Sequence, residues 1–188
     1  MKTRLLVFAF AVPLLAASLL VPGESPANQI AAGTVELTPT VSFSHSNLKR
    51  EGYGNVDTFT QLDLTPAVGV CVTDHWEVTG AALVRHSSSN GNSDTGLGAK
   101  AGVLYNFSRH GGVIPFAGAG FGVLFNSGFT FDDTGVLFPD LTGGVRVLVG
   151  SSASVNLSLG YQHESDGHVT VNRLVSQVGV SLFPWSAR

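Results

Sequence analysis

The chain has 188 residues and a formal charge of −3; 44% of it is hydrophobic and only 12% is charged. That length suffices for one domain with a core, or for one small barrel, and the mild acidity offers nucleic acid no basic surface. One cysteine, Cys71, excludes an internal disulfide, and past the N-terminus no apolar run reaches the roughly 18 residues that a spanning helix needs.

Residues 1–27 read as a secretory signal peptide. Lys2 and Arg4 precede the apolar run Leu5 to Leu20, and the small residues Ser25 and Ala27 place cleavage after Ala27. Loss of Lys2, Arg4 and Glu24 moves the formal charge from −3 to −4. Cys71 lies far from this signal, so it is no lipoprotein acylation site; within "AVGVCV" it reads as a small apolar filler.

Residues 28–188 read as one β-barrel. The pattern period is two, which marks strands. The first strand, about 33–45, alternates Val35, Leu37, Val41 and Phe43 with Glu36 and Thr and Ser residues. The second, about 58–72, carries Leu62, Leu64, Val68 and Val70, and the third, about 76–86, carries Val78, Ala82 and Val84. The fourth, about 96–107, carries Leu97, Val103, Tyr105 and Phe107. The fifth, about 113–125, sets Ala117, Ala119, Phe121, Val123 and Phe125 against Gly118, Gly120 and Gly122. The sixth, about 136–149, sets Leu141, Val145, Val147 and Val149 against Asp140, Thr142, Gly144 and Arg146. The seventh is "LSLGYQHESDG", residues 157–167, and the eighth, about 172–183, carries Leu174, Val178, Val180 and Leu182.

The connections alternate as well. Those after the second, fourth and sixth strands are short ("TDH", "SRHGG", "GSSA"); the others are longer and more polar, including "SSSNGNSDTG" after the third. Short turns at one end and longer loops at the other describe an eight-stranded antiparallel transmembrane β-barrel of the bacterial outer membrane. A soluble lipocalin-like barrel has the same period but an apolar interior. Here Glu36, Lys100, Asp140, Arg146, Asn156 and Gln162 share a face with Gly, Ser and Thr. That face fits a narrow lumen where charges pair away from lipid. Trp76, Tyr105, Phe107 and Trp185 gather at the short-turn end, as an aromatic girdle does.

The apolar row Val155, Leu157, Leu159, Tyr161 of the seventh strand continues as His163 and Ser165. Residues i and i+2 of a strand are neighbours on one face, so an imidazole can reach a hydroxyl there, as a general base reaches an oxygen nucleophile. Asn172 opens the outward row of the eighth strand at the same rim and is a partner for the second ring nitrogen. Glu164 and Asp166 have the opposite parity.

The "HESDG" stretch resembles the His-x-Ser-Asn-x-Gly signature of the lipid A 3-O-deacylases (PagL-type) of Gram-negative outer membranes. "PFAGAGFGV", "LTGGVRV" and the eight-strand layout support the resemblance. It implies an esterase that removes the 3-linked acyl chain of lipid A from the outer barrel wall. Ser165 is then the nucleophile, His163 the general base, and the third member falls at or near Asn172. No cofactor is implied, and the partner is lipopolysaccharide of the outer leaflet. Asp166 stands where the signature has Asn, the following loop is shorter, and Asn172 is neutral where the family has an acid. Backbone amides of Asp166 and Gly167 are candidate oxyanion donors, since Gly allows close approach.

A second reading stays open. His45, in "SHSN", and His86 with Ser88, in "RHSSSN", also end outward rows, and His168 and Asn90 are then ordinary loop residues. A polar rim on a non-enzymatic barrel with a structural, adhesive or binding role has the same pattern. The scattered histidines give no metal-ligand spacing. "FDDTG", 131–135, reads as a loop Asx turn before it reads as a calcium site.

Overall fold

A computed structural model describes residues 30–49, 56–89, 92–107, 112–125, 136–150, 152–165 and 170–185. The signal-peptide expectation for 1–27, the 131–135 loop, His168 and Asn90 lie outside the described residues. Eight strands form one closed antiparallel barrel in chain order: β1 Val35–Lys49, β2 Val56–Cys71, β3 Trp76–Ser89, β4 Asn92–Asn106, β5 Val113–Phe125, β6 Val136–Val149, β7 Ala153–Ser165 and β8 Thr170–Trp185. β1 closes the cylinder against β8, with Val41 opposite Val178.

The period-two pattern decides which way each side chain points, and the barrel is inside out. Leu174 is 70% exposed and Leu97 59%, whereas Glu36 is 1% exposed and Arg146 2%. The greasy rows thus form the outer wall and the polar rows the lumen. Lumen charges are paired: Arg146 bridges Glu36 and Glu77, and Lys100 meets Asp140, which also accepts from Gln162 Nε2. Toward the long-loop end Arg85 joins Asp63 and Glu164, and Glu164 joins Arg173. Glycine leaves room for these large groups. A Cβ on Gly122 would overlap the Phe138 ring, and one on Gly69 the Glu77 carboxylate. Phe138, with Leu83 and Leu124, makes a small apolar plug under the Arg85 layer, and the Arg85 guanidinium lies 5.3 Å from the Phe138 ring centroid. Between the ionic layers remains a cavity of about 150 Å³ lined by Glu36, Thr79, Lys100, Phe116, Asp140 and Arg146 among others.

Strands of 13 to 16 residues are longer than a bilayer requires. At about 3.3 Å per residue and a tilt near 40° they rise about 33–40 Å, against an apolar band of about 25 Å. The surplus stands at the long-loop end. There the pairing of β3 with β4 runs to Ser89–Asn92, so only residues 90 and 91 separate the strands. The sequence reading of "SSSNGNSDTG" as a long loop, and of strands ending at 86 and beginning at 96, is corrected. Asn90-Gly91 is the pair that two-residue hairpins favour, and it outweighs the serine-rich flanks that look loop-like. β1, β2 and β8 likewise extend past their expected ends.

At the short-turn end Trp76 and Phe107 meet the Tyr105 ring edge-on at 5.0 Å each, and His75 stacks on it at 5.5 Å while its Nδ1 donates to the Asn106 carbonyl at 2.9 Å. Register brings these rings together, because Trp76 faces Tyr105 across β3–β4. The Trp185 side chain lies outside the described residues.

The inside-out wall makes a quantitative expectation. Leu159, at the middle of β7 and 57% exposed, replaced by Arg should lower stability in lipid vesicles by about 2–4 kcal/mol, measured by equilibrium urea unfolding.

Candidate active site

The outward rows change character at one level of the wall. Below it stand Leu64, Val84, Leu97, Tyr161 and Leu174; above it, on β3, β4, β7 and β8, stand His86, Thr95, His163 and Asn172. This is where the apolar band gives way to a polar rim at the long-loop end.

On β7 and β8 the rim is organised. His163 lies directly opposite Asn172 in the ladder. The antiparallel register therefore sets the two side chains beside each other on the outer face. His163 Nδ1 stands 2.7 Å from Asn172 Oδ1. An amide oxygen only accepts, so Nδ1 carries a proton, and in the neutral ring it is Nε2 that keeps the lone pair. The Tyr161 hydroxyl donates to the same Asn172 oxygen, also at 2.7 Å. Two donors on one acceptor hold the amide with its oxygen toward the ring. In its neutral form the imidazole is thereby fixed in one tautomer, with Nε2 as the basic nitrogen at the boundary of the apolar wall.

Ser165 ends β7 and pairs through its backbone with Thr170 of β8 and Leu137 of β6. Its side chain, and Asp166 and Gly167 entirely, lie outside the described residues. Glu164 turns inward and is fully buried in the lumen, away from the imidazole. Tyr161 is the residue that the sequence reading passed over. It stands two before His163 on the same face, which was the available signal, but it read as the last member of the apolar row.

The other histidine patches differ. His86 Nδ1 meets Thr95 Oγ1 at 3.1 Å across β3–β4. A hydroxyl both donates and accepts, so it leaves the tautomer of that ring open. His45 pairs through its backbone with Thr60; its side chain lies outside the described residues. Among the described residues no cluster of His, Cys, Asp and Glu is arranged to hold a metal ion.

A closed cylinder of eight antiparallel strands with an apolar outer wall and an ion-paired lumen defines a transmembrane β-barrel of the small outer-membrane type. The barrel is similar to the N-terminal β-barrel domain of Pseudomonas aeruginosa OprF: 15% identity, covering 80% of this chain and 97% of that one, TM-score 0.57. It also aligns with the outer membrane enzyme PagL (16% identity, 78% of this chain and 98% of that one, TM-score 0.47) and with Neisserial surface protein A (12% identity, 81% of this chain and 97% of that one, TM-score 0.48). At these identities the likeness is one of fold. No family model matches the chain, and no curated protein matches it.

The shared acceptor predicts coupling. In a double-mutant cycle of Tyr161→Phe and Asn172→Ala, measured by equilibrium unfolding in micelles, the interaction energy should be about 0.5–1.5 kcal/mol.

Proposed function

We propose that this barrel is an ester hydrolase of the bacterial outer membrane, exported by the 1–27 signal peptide, that removes the 3-linked acyl chain of lipid A from its lipid-facing wall. The observation that carries the reading is the Asn172–His163 hydrogen bond, which selects the tautomer whose basic nitrogen is Nε2 on an outward imidazole at the rim. Lipopolysaccharide of the outer leaflet presents its acyl esters at that level. A site on the wall needs no lumen pocket and no cofactor.

In this reading Ser165, two residues beyond His163 on a regular strand and so of the same parity, supplies the nucleophile. His163 Nε2 takes the Ser165 hydroxyl proton as Oγ bonds to the ester carbonyl carbon. Collapse of the tetrahedral adduct breaks the bond to the 3-oxygen, which leaves with the proton held on Nε2. Water then attacks the acyl-serine, its proton going to Nε2, and Ser165 is restored as the fatty acid departs. Backbone amides of Asp166 and Gly167 are the proposed donors to the oxyanion.

Asn172 shapes the rate. It holds the tautomer as an acid does, but a neutral amide stabilises the imidazolium less. Asn172→Asp keeps an acceptor for both donors and adds charge. It should raise kcat about tenfold, the difference of about 1.4 kcal/mol between a neutral and a charge-assisted hydrogen bond, in a micellar lipid A assay.

The His86–Thr95 pair favours a second reading, in which histidines at the rim are a generic polar border on a structural, adhesive or binding barrel. Mass spectrometry of lipid A from cells expressing the wild type and Ser165→Ala separates the two. Loss of the 3-linked chain with the wild type alone is expected; the same lipid A from both strains counts against the hydrolase.

A further inference from the structure

The rung that carries the outward His163–Asn172 bond is clamped from behind. Glu164 follows His163 and points into the lumen, 0% exposed; Arg173 follows Asn172 and also points inward, 3% exposed. In the ladder Glu164 opposes Val171 and Gln162 opposes Arg173. The Glu164 Oε2–Arg173 Nη2 ion pair, at 3.0 Å, therefore runs diagonally behind the His163–Asn172 rung. Glu164 Oε1 accepts from Arg85 Nη1 at 2.5 Å, and Arg85 donates to Asp63 through Nε at 3.0 Å and Nη2 at 3.1 Å. β3 and β7 are four strands apart in a ring of eight, so this chain of charges crosses the lumen and ties β7–β8 to the far wall. The apolar plug beneath it, Phe138 with Leu83 and Leu124, keeps the pairs out of bulk water, where charge pairing is strongest.

Register is what the site depends on. A slip of one residue would turn His163 into the lumen and Glu164 toward lipid. A slip of two keeps the faces but carries His163 off Asn172, opposite Leu174 or Thr170. The alternation of polar and apolar residues resists only the first slip. The diagonal ion pair resists the slip toward Thr170, in which Glu164 and Arg173 separate; the slip toward Leu174 would set Glu164 directly opposite Arg173, and there it is the tie of Glu164 to Arg85 on β3 that holds β7 in place.

We propose that Glu164 and Arg173 are positioning residues: the lumen ion pairs of Glu164, with Arg173 on β8 and with Arg85 on β3, hold His163 and Asn172 in hydrogen-bonding register on the opposite face of the same strands. This deepens the hydrolase reading and rests on it for its consequence in rate, while the positioning itself is measurable without turnover. Glu164→Gln removes the carboxylate charge that Arg85 and Arg173 share. Glu77→Gln, at the other end of the lumen, is the control, since the Arg146–Glu36 pair stays.

The test uses the full barrel, folded in detergent micelles, with ¹⁵N NMR of the His163 imidazole (assigned by its loss in His163→Gln) and kinetics on purified lipid A in mixed micelles. In the wild type and Glu77→Gln, the ring should show the Nδ1-protonated tautomer. In Glu164→Gln it should become a mixture, with kcat down about tenfold to a hundredfold, as for a misplaced group, and KM within about twofold. Arg173→Lys should move both readouts in the same direction and stands in if Glu164→Gln does not fold. A wild-type tautomer signature in either variant overturns the proposal. A barrel without lipid A turnover whose tautomer is lost in Glu164→Gln sinks the hydrolase and leaves the positioning intact; an active barrel whose variants keep wild-type tautomer and kcat does the reverse.

Discussion

Hydrocarbon offers no hydrogen-bond partner to a peptide group, and this one fact shapes the molecule. Every strand must pair on both sides, so the sheet closes, with β1 meeting β8. Once closed and embedded, the cylinder places its apolar rows outward, and everything polar on the strands must live inside. The alternation that would give a soluble barrel a greasy core here gives a greasy skin.

A lumen of eight strands is narrow, and its occupants must fit and be satisfied. Glycines on the inward rows let Phe138 and Glu77 lie against the adjacent strand. Arg146 between Glu36 and Glu77, and Arg85 between Asp63 and Glu164, neutralise one another across the interior. Buried ion pairs return little net stability against apolar packing, but one left unpaired is costly. Their contribution is geometric, because each pair fits one register and loses its partner in another.

The same strands therefore carry two chemistries back to back. At the upper end of β7 and β8, one face holds the Glu164–Arg173 pair in a sealed interior, and the other holds Tyr161, His163 and Asn172 at the margin of the outer leaflet. On the proposed hydrolase reading such a wall site is reached by lateral diffusion of lipid, and its specificity comes from the depth of the rim and the groups that stand there. That separates it from a lumen pocket, which must also admit its ligand.

The period of two and the polar inward rows were legible in the sequence, because lipid and lumen impose opposite chemistries on successive residues. The strand count and the outward parity of His163 and Asn172 followed from that. The extent of β3 and β4 was misjudged, since serine and asparagine look alike in a loop and in a strand that rises above the membrane. Pairing partners were settled only by tertiary structure. That Asn172 faces His163, that Tyr161 shares its oxygen and that Arg85 reaches Glu164 across the barrel all depend on register and closure, which arise when distant strands meet and leave no mark in local pattern.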